Sequence, residues 1–168
     1  MDYSLARDQI KSGDVIALSH DQWGSWYDLQ IQAVRMFTES EYSHIALAWV
    51  FAGRVFLIES VEPVVRILPL SNLADKGFYH IPIGVDYTEA ELEFLMSKVG
   101  VTPYSKLEAI LAYFKKAKIG DTRVEECAKL AIEARRLSGI DLGDKATPSA
   151  VVKTLLESNH VIQYVKKA

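Results

Sequence analysis

Apolar and polar positions alternate in two different rhythms along this chain, and the change of rhythm divides it. Ser12-Gly13-Asp14 has turn chemistry and is followed by the apolar run Val15 to Ser19, which predicts a strand. Ser25 to Thr38 places Trp26, Leu29, Ala33 and Phe37 at spacings of three and four, with Ser25 as N-cap and Asp28 three residues on, which predicts an amphipathic helix. Ser43 to Phe51 and Arg54 to Ser60 are rich in Ile, Val, Phe and Trp and flank Ala52-Gly53, the strongest hairpin signal in the sequence. Val64 to Leu68 and Phe78 to Ile83 predict further strands, with Pro63, Pro69 and Pro82 marking edges or ends.

Beyond them the helical period takes over. Thr88-Glu89-Ala90-Glu91 has the form of a capping box and opens a helix through Leu92, Leu95 and Val99. After Thr102-Pro103 a second helix is expected through Leu107, Ile110, Leu111 and Phe114, stopping near Gly120. A third is expected from about Arg123 to Ser138, ending at Gly139, and a fourth over Ser149 to Leu156 with Pro148 in its first turn. His160 to Val165 predicts a closing strand. Strands gathered first and helices gathered later argue for an α+β fold with an antiparallel sheet.

Length and composition narrow the reading. A chain of 168 residues suits one domain spanning 1–168, and 49% hydrophobic residues suffice for one sizeable core. The net charge of -3 and the lack of a basic block beyond Lys166-Lys167 leave nucleic-acid binding without electrostatic support. The opening MDYSLARDQIKSGD does not read as a secretory signal. The longest apolar stretch, Ile45 to Ile58, is broken by Gly53-Arg54, so no transmembrane segment is expected. The default location is cytoplasmic, with a phage origin or signal-less export also compatible. With a single cysteine, an intramolecular disulfide and a multi-thiolate zinc cluster are both excluded.

The hairpin brings chemistry into view. Pairing Phe51 with Arg54 sets Ala46 opposite Glu59 and His44 opposite Val61, so His44 and Glu59 become diagonal neighbours on one face, roughly 7–8 Å apart between backbones. A carboxylate beside an imidazole fixes its tautomer and stabilises the imidazolium that forms when the ring takes a proton. Cys127 is the candidate nucleophile. Placed early in the expected third helix, it would gain from the helix dipole and offer its own N–H to an oxyanion, while Glu125 and Glu126 act against a thiolate. The plainer reading of Cys127 is core packing, because it shares an apolar stripe with Leu130, Ala131, Ala134 and Leu137. His44 and Glu59 likewise have plainer readings, as a structural or surface histidine and a solvated strand-face acid.

Several segments in one order resemble the permuted NlpC-type papain-like family of YiiX/YaeF-like proteins, related to lecithin:retinol acyltransferase-like folds. They are Ser12-Gly13-Asp14-Val15-Ile16, Glu41-Tyr42-Ser43-His44-Ile45-Ala46, Ile58-Glu59-Ser60, Thr102-Pro103-Tyr104-Ser105, Cys127-Ala128-Lys129-Leu130 and Thr147-Pro148. The resemblance implies a circularly permuted papain-like fold, an antiparallel sheet packed against a helical subdomain, in which the base precedes the nucleophile along the chain. It implies a cysteine peptidase or amidase with Cys127 as nucleophile, His44 as base and Glu59 as orienting acid. Its substrates would be peptides, amides or acyl esters, cell-wall peptides among them, with acyl transfer as a variant. The family often reads Cys-Ser-Glu-Leu at the nucleophile with an aromatic residue before it; here Glu126 precedes Cys127 and Ala128-Lys129 follow.

Tyr42, His20 and Trp23 are candidates to line the cleft, with Asp21 and Gln22 beside them; an ordinary polar loop is the alternative for residues 20–23. His80 and His160 sit in apolar strand contexts and read as structural. No metal is expected, since His20 with Asp21 has no matching ligand cluster, and no cofactor, since no phosphate-binding glycine loop is present. The rival to an enzyme is an inactive binding module, or a phage-type host-interaction protein, that keeps the papain-like cleft.

Overall fold

The computed structural model describes residues 1–19, 42–61, 64–101 and 119–167, with side chains in the last stretch described from Cys127 onward. The helix expected over Ser25 to Thr38, the loop candidates His20, Asp21, Gln22 and Trp23, Pro63, and the helix expected through Leu107 to Phe114 lie outside the described residues.

The strands are β1 (Val15–Ser19), β2 (Tyr42–Phe51), β3 (Arg54–Val61), β4 (Val64–Pro69), β5 (Phe78–Ile81) and β6 (Gln163–Val165). They form one six-stranded sheet in the order β4-β3-β2-β1-β5-β6, with every neighbouring pair antiparallel. The helices are α1 (Tyr3–Ala6), α2 (Glu89–Lys98), α3 (Ile119–Arg136) and α4 (Pro148–Glu157), with a 3-10 turn at Leu70–Leu73. The architecture is α+β with an antiparallel sheet, as the segregated pattern predicts.

The first four residues of β1, Val15 to Leu18, are apolar because the strand is covered on both faces. Val15 and Ala17 join Ile45, Leu47 and Ile58 in a core shared with Ala128 and Ala131 of α3 and with Val151 and Leu155 of α4. Ile16 and Leu18 join Ala46, Leu57 and Phe78 on the other face, closed by Ala6, Ile10 and Leu70. The capping box at α2 forms as expected: Thr88 Oγ1 accepts from the Glu91 N–H, and the Glu91 carboxylate accepts from the Thr88 N–H. Pro148 begins α4 behind the N-cap Thr147.

A buried carboxylate–histidine contact ties a turn to this sheet, and a buried ion pair ties two helices together. Asp14 accepts from the amides of Lys11 and Ile83, and one of its oxygens lies 2.8 Å from His80 Nε2, so a single carboxylate joins the turn before β1 to β5. Arg135 of α3 donates to Glu91 of α2 at 2.7 Å and to the Val85 carbonyl, with both charged side chains fully buried. Gly13 has φ +88, and a Cβ there would lie 2.6 Å from the Val85 carbonyl oxygen and 2.8 Å from Arg135 Nη1. Glycine at this turn therefore answers both the left-handed backbone and the close passage of the arginine.

Three boundaries depart from expectation. Gly120 does not stop a helix but is the second residue of α3, which starts at Ile119 and ends at Arg136. Leu137 therefore lies beyond the helix and is half exposed, so the apolar stripe through Cys127 stops at Ala134. β6 is only three residues long; His160 instead donates its Nδ1–H to the Pro82 carbonyl.

Candidate functional site

A tight turn sets the register of the candidate site. Ala52 and Gly53 have φ of +48 and +72, the left-handed pair that a two-residue hairpin requires to match strand twist. The turn fixes Phe51 opposite Arg54 and carries the pairing to Leu47 opposite Ile58. One step further brings Ala46 level with Glu59, and His44 lies two residues beyond on the same side. The side chains meet: His44 Nε2 is 2.8 Å from Glu59 Oε2, and both residues are buried.

Where β2 passes β1 the ladder is irregular. Leu18 faces His44 but Ser19 faces Tyr42, which leaves Ser43 as an extra residue directly before the histidine. Such bulges re-aim neighbouring side chains and are common beside functional sites. The Ser43 hydroxyl donates to the Leu18 carbonyl at 3.2 Å across this irregularity.

Cys127 of α3 is buried, and its sulfur hydrogen-bonds the His44 side chain. With Nε2 committed to Glu59, Nδ1 is the ring nitrogen left for the sulfur. Burial, the strongest single influence on His44, works against a charged ring. Electrostatic interaction and a hydrogen bond with Cys127, and the hydrogen bond and charge of Glu59, together outweigh burial and push the imidazole pKa up to about 10. Burial likewise works against a charged Glu59, and His44 and Arg66 reverse it, holding the carboxyl below its ordinary range.

Arg66 is the member that the sequence reading missed. It stands directly opposite Glu59 in the β3–β4 pair and places Nε and Nη2 at 2.8 and 2.7 Å from Glu59 Oε1. A sequence signal existed: Arg66 is the lone charge in the apolar run Val64 to Leu68. Counting outward from Val61 opposite Val64 lands it on Glu59. The result is a row of groups of alternating charge preference, from sulfur through imidazole and carboxylate to guanidinium.

The position of Cys127 within its helix is a correction. It is the ninth residue of α3, counting from Ile119, not one of the first few. Only the first four amides of a helix lack intrahelical partners, and the dipole acts within the first turn. The helix terminus therefore neither acts on the Cys127 sulfur nor frees the Cys127 N–H for an oxyanion; His44 is the neighbouring group that acts on the sulfur.

The remaining candidates divide. Tyr42 lies two residues before His44, half buried, with its ring edge-on to Tyr79 at 5.3 Å. His20 and Trp23 lie outside the described residues. His80 and His160 hold the sheet together through Asp14 and Pro82 and take no part in the Cys127 row. Among the described residues no helix is long and apolar enough to cross a membrane.

No protein-family profile matches the sequence, and no curated protein matches it. A solved structure does: that of the metalloprotein YiiX from Escherichia coli O157:H7, a DUF1105 protein. It superposes with a TM-score of 0.54 at 16% identity, over 81% of this chain and 71% of that one. At that identity the similarity speaks for the fold, which is distantly YiiX-like.

Proposed function

We propose that the protein is a cysteine hydrolase, a peptidase or amidase with a circularly permuted papain-like arrangement, in which Cys127, His44 and Glu59 carry the reaction. The observation that supports it is the buried hydrogen-bonded row Cys127–His44–Glu59, assembled from α3, β2 and β3. The distant YiiX-like fold is consistent with it.

In this reading His44 Nδ1 takes the thiol proton, and the thiolate–imidazolium pair is the resting form. The sulfur attacks the carbonyl carbon of an amide or ester, and the electron pair of the C=O moves to oxygen. As the tetrahedral adduct collapses, the imidazolium gives its proton to the leaving amine or alcohol and a thioester remains. His44 then takes a proton from water as the water oxygen attacks the thioester. Collapse of that adduct releases the acid and the sulfur. Glu59 holds Nε2–H and offsets the ring charge throughout. Peptides, including cell-wall peptides, are the proposed substrates.

YiiX is called a metalloprotein, and the described residues of this chain do not fit a metal cage. The Glu59 carboxylate is already held by the Arg66 guanidinium, and no group of three or more His, Cys, Asp or Glu side chains is placed to hold an ion among the described residues. No step of the reaction is assigned to one.

The rate of Cys127 alkylation by iodoacetamide between about pH 4 and pH 10 tests the reading. Fast alkylation well below the free-thiol pKa of about 8.5, lost in His44→Ala, is expected. The burial of Cys127 favours one rival, a binding module whose thiol only packs the core. Slow alkylation unchanged by His44→Ala, with ligand binding surviving Cys127→Ala, would decide for that rival.

A further inference from the structure

We infer that Arg66 is a positioning residue of this site: its guanidinium locks the Glu59 carboxylate so that the other oxygen stays on His44. The inference rests on the reading of Cys127, His44 and Glu59 as the reacting groups.

The geometry divides the carboxylate between two partners. Oε2 meets His44 Nε2 at 2.8 Å, and Oε1 receives both Nε and Nη2 of Arg66 at 2.8 and 2.7 Å. The terminal torsion of a glutamate is broad and does not by itself fix the carboxylate plane. Two donors from one rigid guanidinium converging on one oxygen do fix it. Arg66 acts from a rigid place, because it is directly opposite Glu59 in the β3–β4 ladder. The arginine side chain is 43% exposed while Glu59 is 1% exposed, so the cation keeps much of its hydration as it neutralises a buried anion.

Charge points the same way. Burial favours a protonated Glu59, and a protonated carboxyl no longer offsets an imidazolium. Among the described residues the charged groups acting on Glu59 are His44 from β2 and Arg66 from β4, with Cys127 of α3 acting on His44 in turn. Arg66 is the permanent cation of the set. It keeps Glu59 ionised in acid, where the thiolate has to form. The plainer role for Arg66 is a charge that blunts β4, which lies at the edge of the sheet. That role predicts no effect on the ionisation of a thiol.

The pH profile of Cys127 alkylation separates the two. In Arg66→Gln the acid limb is expected to move upward by about one pH unit. In Arg66→Lys, which keeps the charge but loses the fork, the displacement is expected to be smaller. In a Glu59→Gln background the Arg66 substitution is expected to move nothing further. Should Arg66→Gln fail to fold, Arg66→Met preserves an apolar stem for the strand and carries the same expectation. An Arg66→Gln or Arg66→Met profile superimposing on wild type overturns the inference, as does an equal displacement in the Glu59→Gln background. The failure of the underlying reading is distinguishable: there the wild type shows no acid limb and His44→Ala changes nothing, and this inference falls with it. If the wild-type limb is present and lost in His44→Ala, a null result at Arg66 counts against this inference alone.

Discussion

Glu59 lies 2.8 Å from His44 although fifteen residues separate them, and the turn at Ala52-Gly53 makes the contact possible. Strand side chains alternate with a period of two, so the register of this hairpin decides whether imidazole and carboxylate share a face. Inserting one glycine between Ala52 and Gly53 is expected to put them on opposite faces. Circular dichroism should still report a sheet, while alkylation of Cys127 below neutral pH loses its fast component. An inserted variant that alkylates as wild type does would mean that the hairpin register does not support the thiol.

Legibility in the sequence followed the range of the interactions. β1 is read residue for residue because a turn and an apolar run define it locally, and the capping box of Thr88 and Glu91 is local too. The His44–Glu59 contact follows from counting across one short turn. The start of α3 does not, because Gly120 reads as a helix stop and α3 nonetheless extends through it. The four-residue α1 is too short to show a period; its Asp2 cap and the Tyr3 N–H donating to the Lys166 carbonyl hold it. Arg66 reaches Glu59 across a second short connection and could be counted to it in the same way, whereas Arg135 finds Glu91 across a helix pair, where local pattern carries no signal.

The Glu91–Arg135 pair is expected to matter for stability far more than a surface pair. Both side chains are fully buried, so Glu91→Ala leaves a desolvated guanidinium without its anion and also removes the capping box of α2. The expected loss is about 3–5 kcal/mol, read from urea unfolding. Glu91→Gln, which keeps a hydrogen-bond acceptor, is expected to lose less. Equal stability of wild type and Glu91→Ala would remove the pair from the forces that hold α3 against α2.

Asp14 separates stability from site chemistry. Its carboxylate serves the amides of Lys11 and Ile83 and the buried His80 ring, so Asp14→Ala strands two or more buried donors. A loss on the order of 3 kcal/mol is expected in thermal or urea unfolding. None of these partners belongs to the Cys127 row, so the pH dependence of alkylation in the folded variant should match wild type. A displaced alkylation profile would show that β5 is coupled to the site.

Stability should itself report the charges at His44 and Glu59. The ordinary pKa of His44, 6.5, is raised to about 10 in the fold: burial opposes the charged ring and the Cys127 sulfur and Glu59 overcome it. A raised pKa means that the folded state binds the proton more tightly. Its contribution is therefore complete below about pH 6.5 and is lost as pH climbs through about 10. Glu59, whose ordinary pKa is 4.5, is lowered against the pull of burial by His44 and then Arg66, so its contribution is present above 4.5 and lost as pH falls through the folded value. The two together place the most favourable range of the site between these ordinary values, with losses toward acid and toward alkali. Every tenfold gain in proton affinity on folding corresponds to about 1.4 kcal/mol, so the alkaline loss is on the order of a few kcal/mol, shared with the Cys127 sulfur that raises the ring. Urea unfolding across this range should show an alkaline decline in wild type that is shallower in both His44→Ala and Cys127→Ala, because each removes one side of the charge pair. Glu59→Gln should instead flatten the acid side. A thiolate–imidazolium pair holds the same number of protons as an unfolded neutral imidazole and thiol, so the decline belongs above the free-thiol pKa of about 8.5. Parallel wild-type and His44→Ala curves between about pH 8.5 and 10 would mean that the buried ring is not held as an imidazolium.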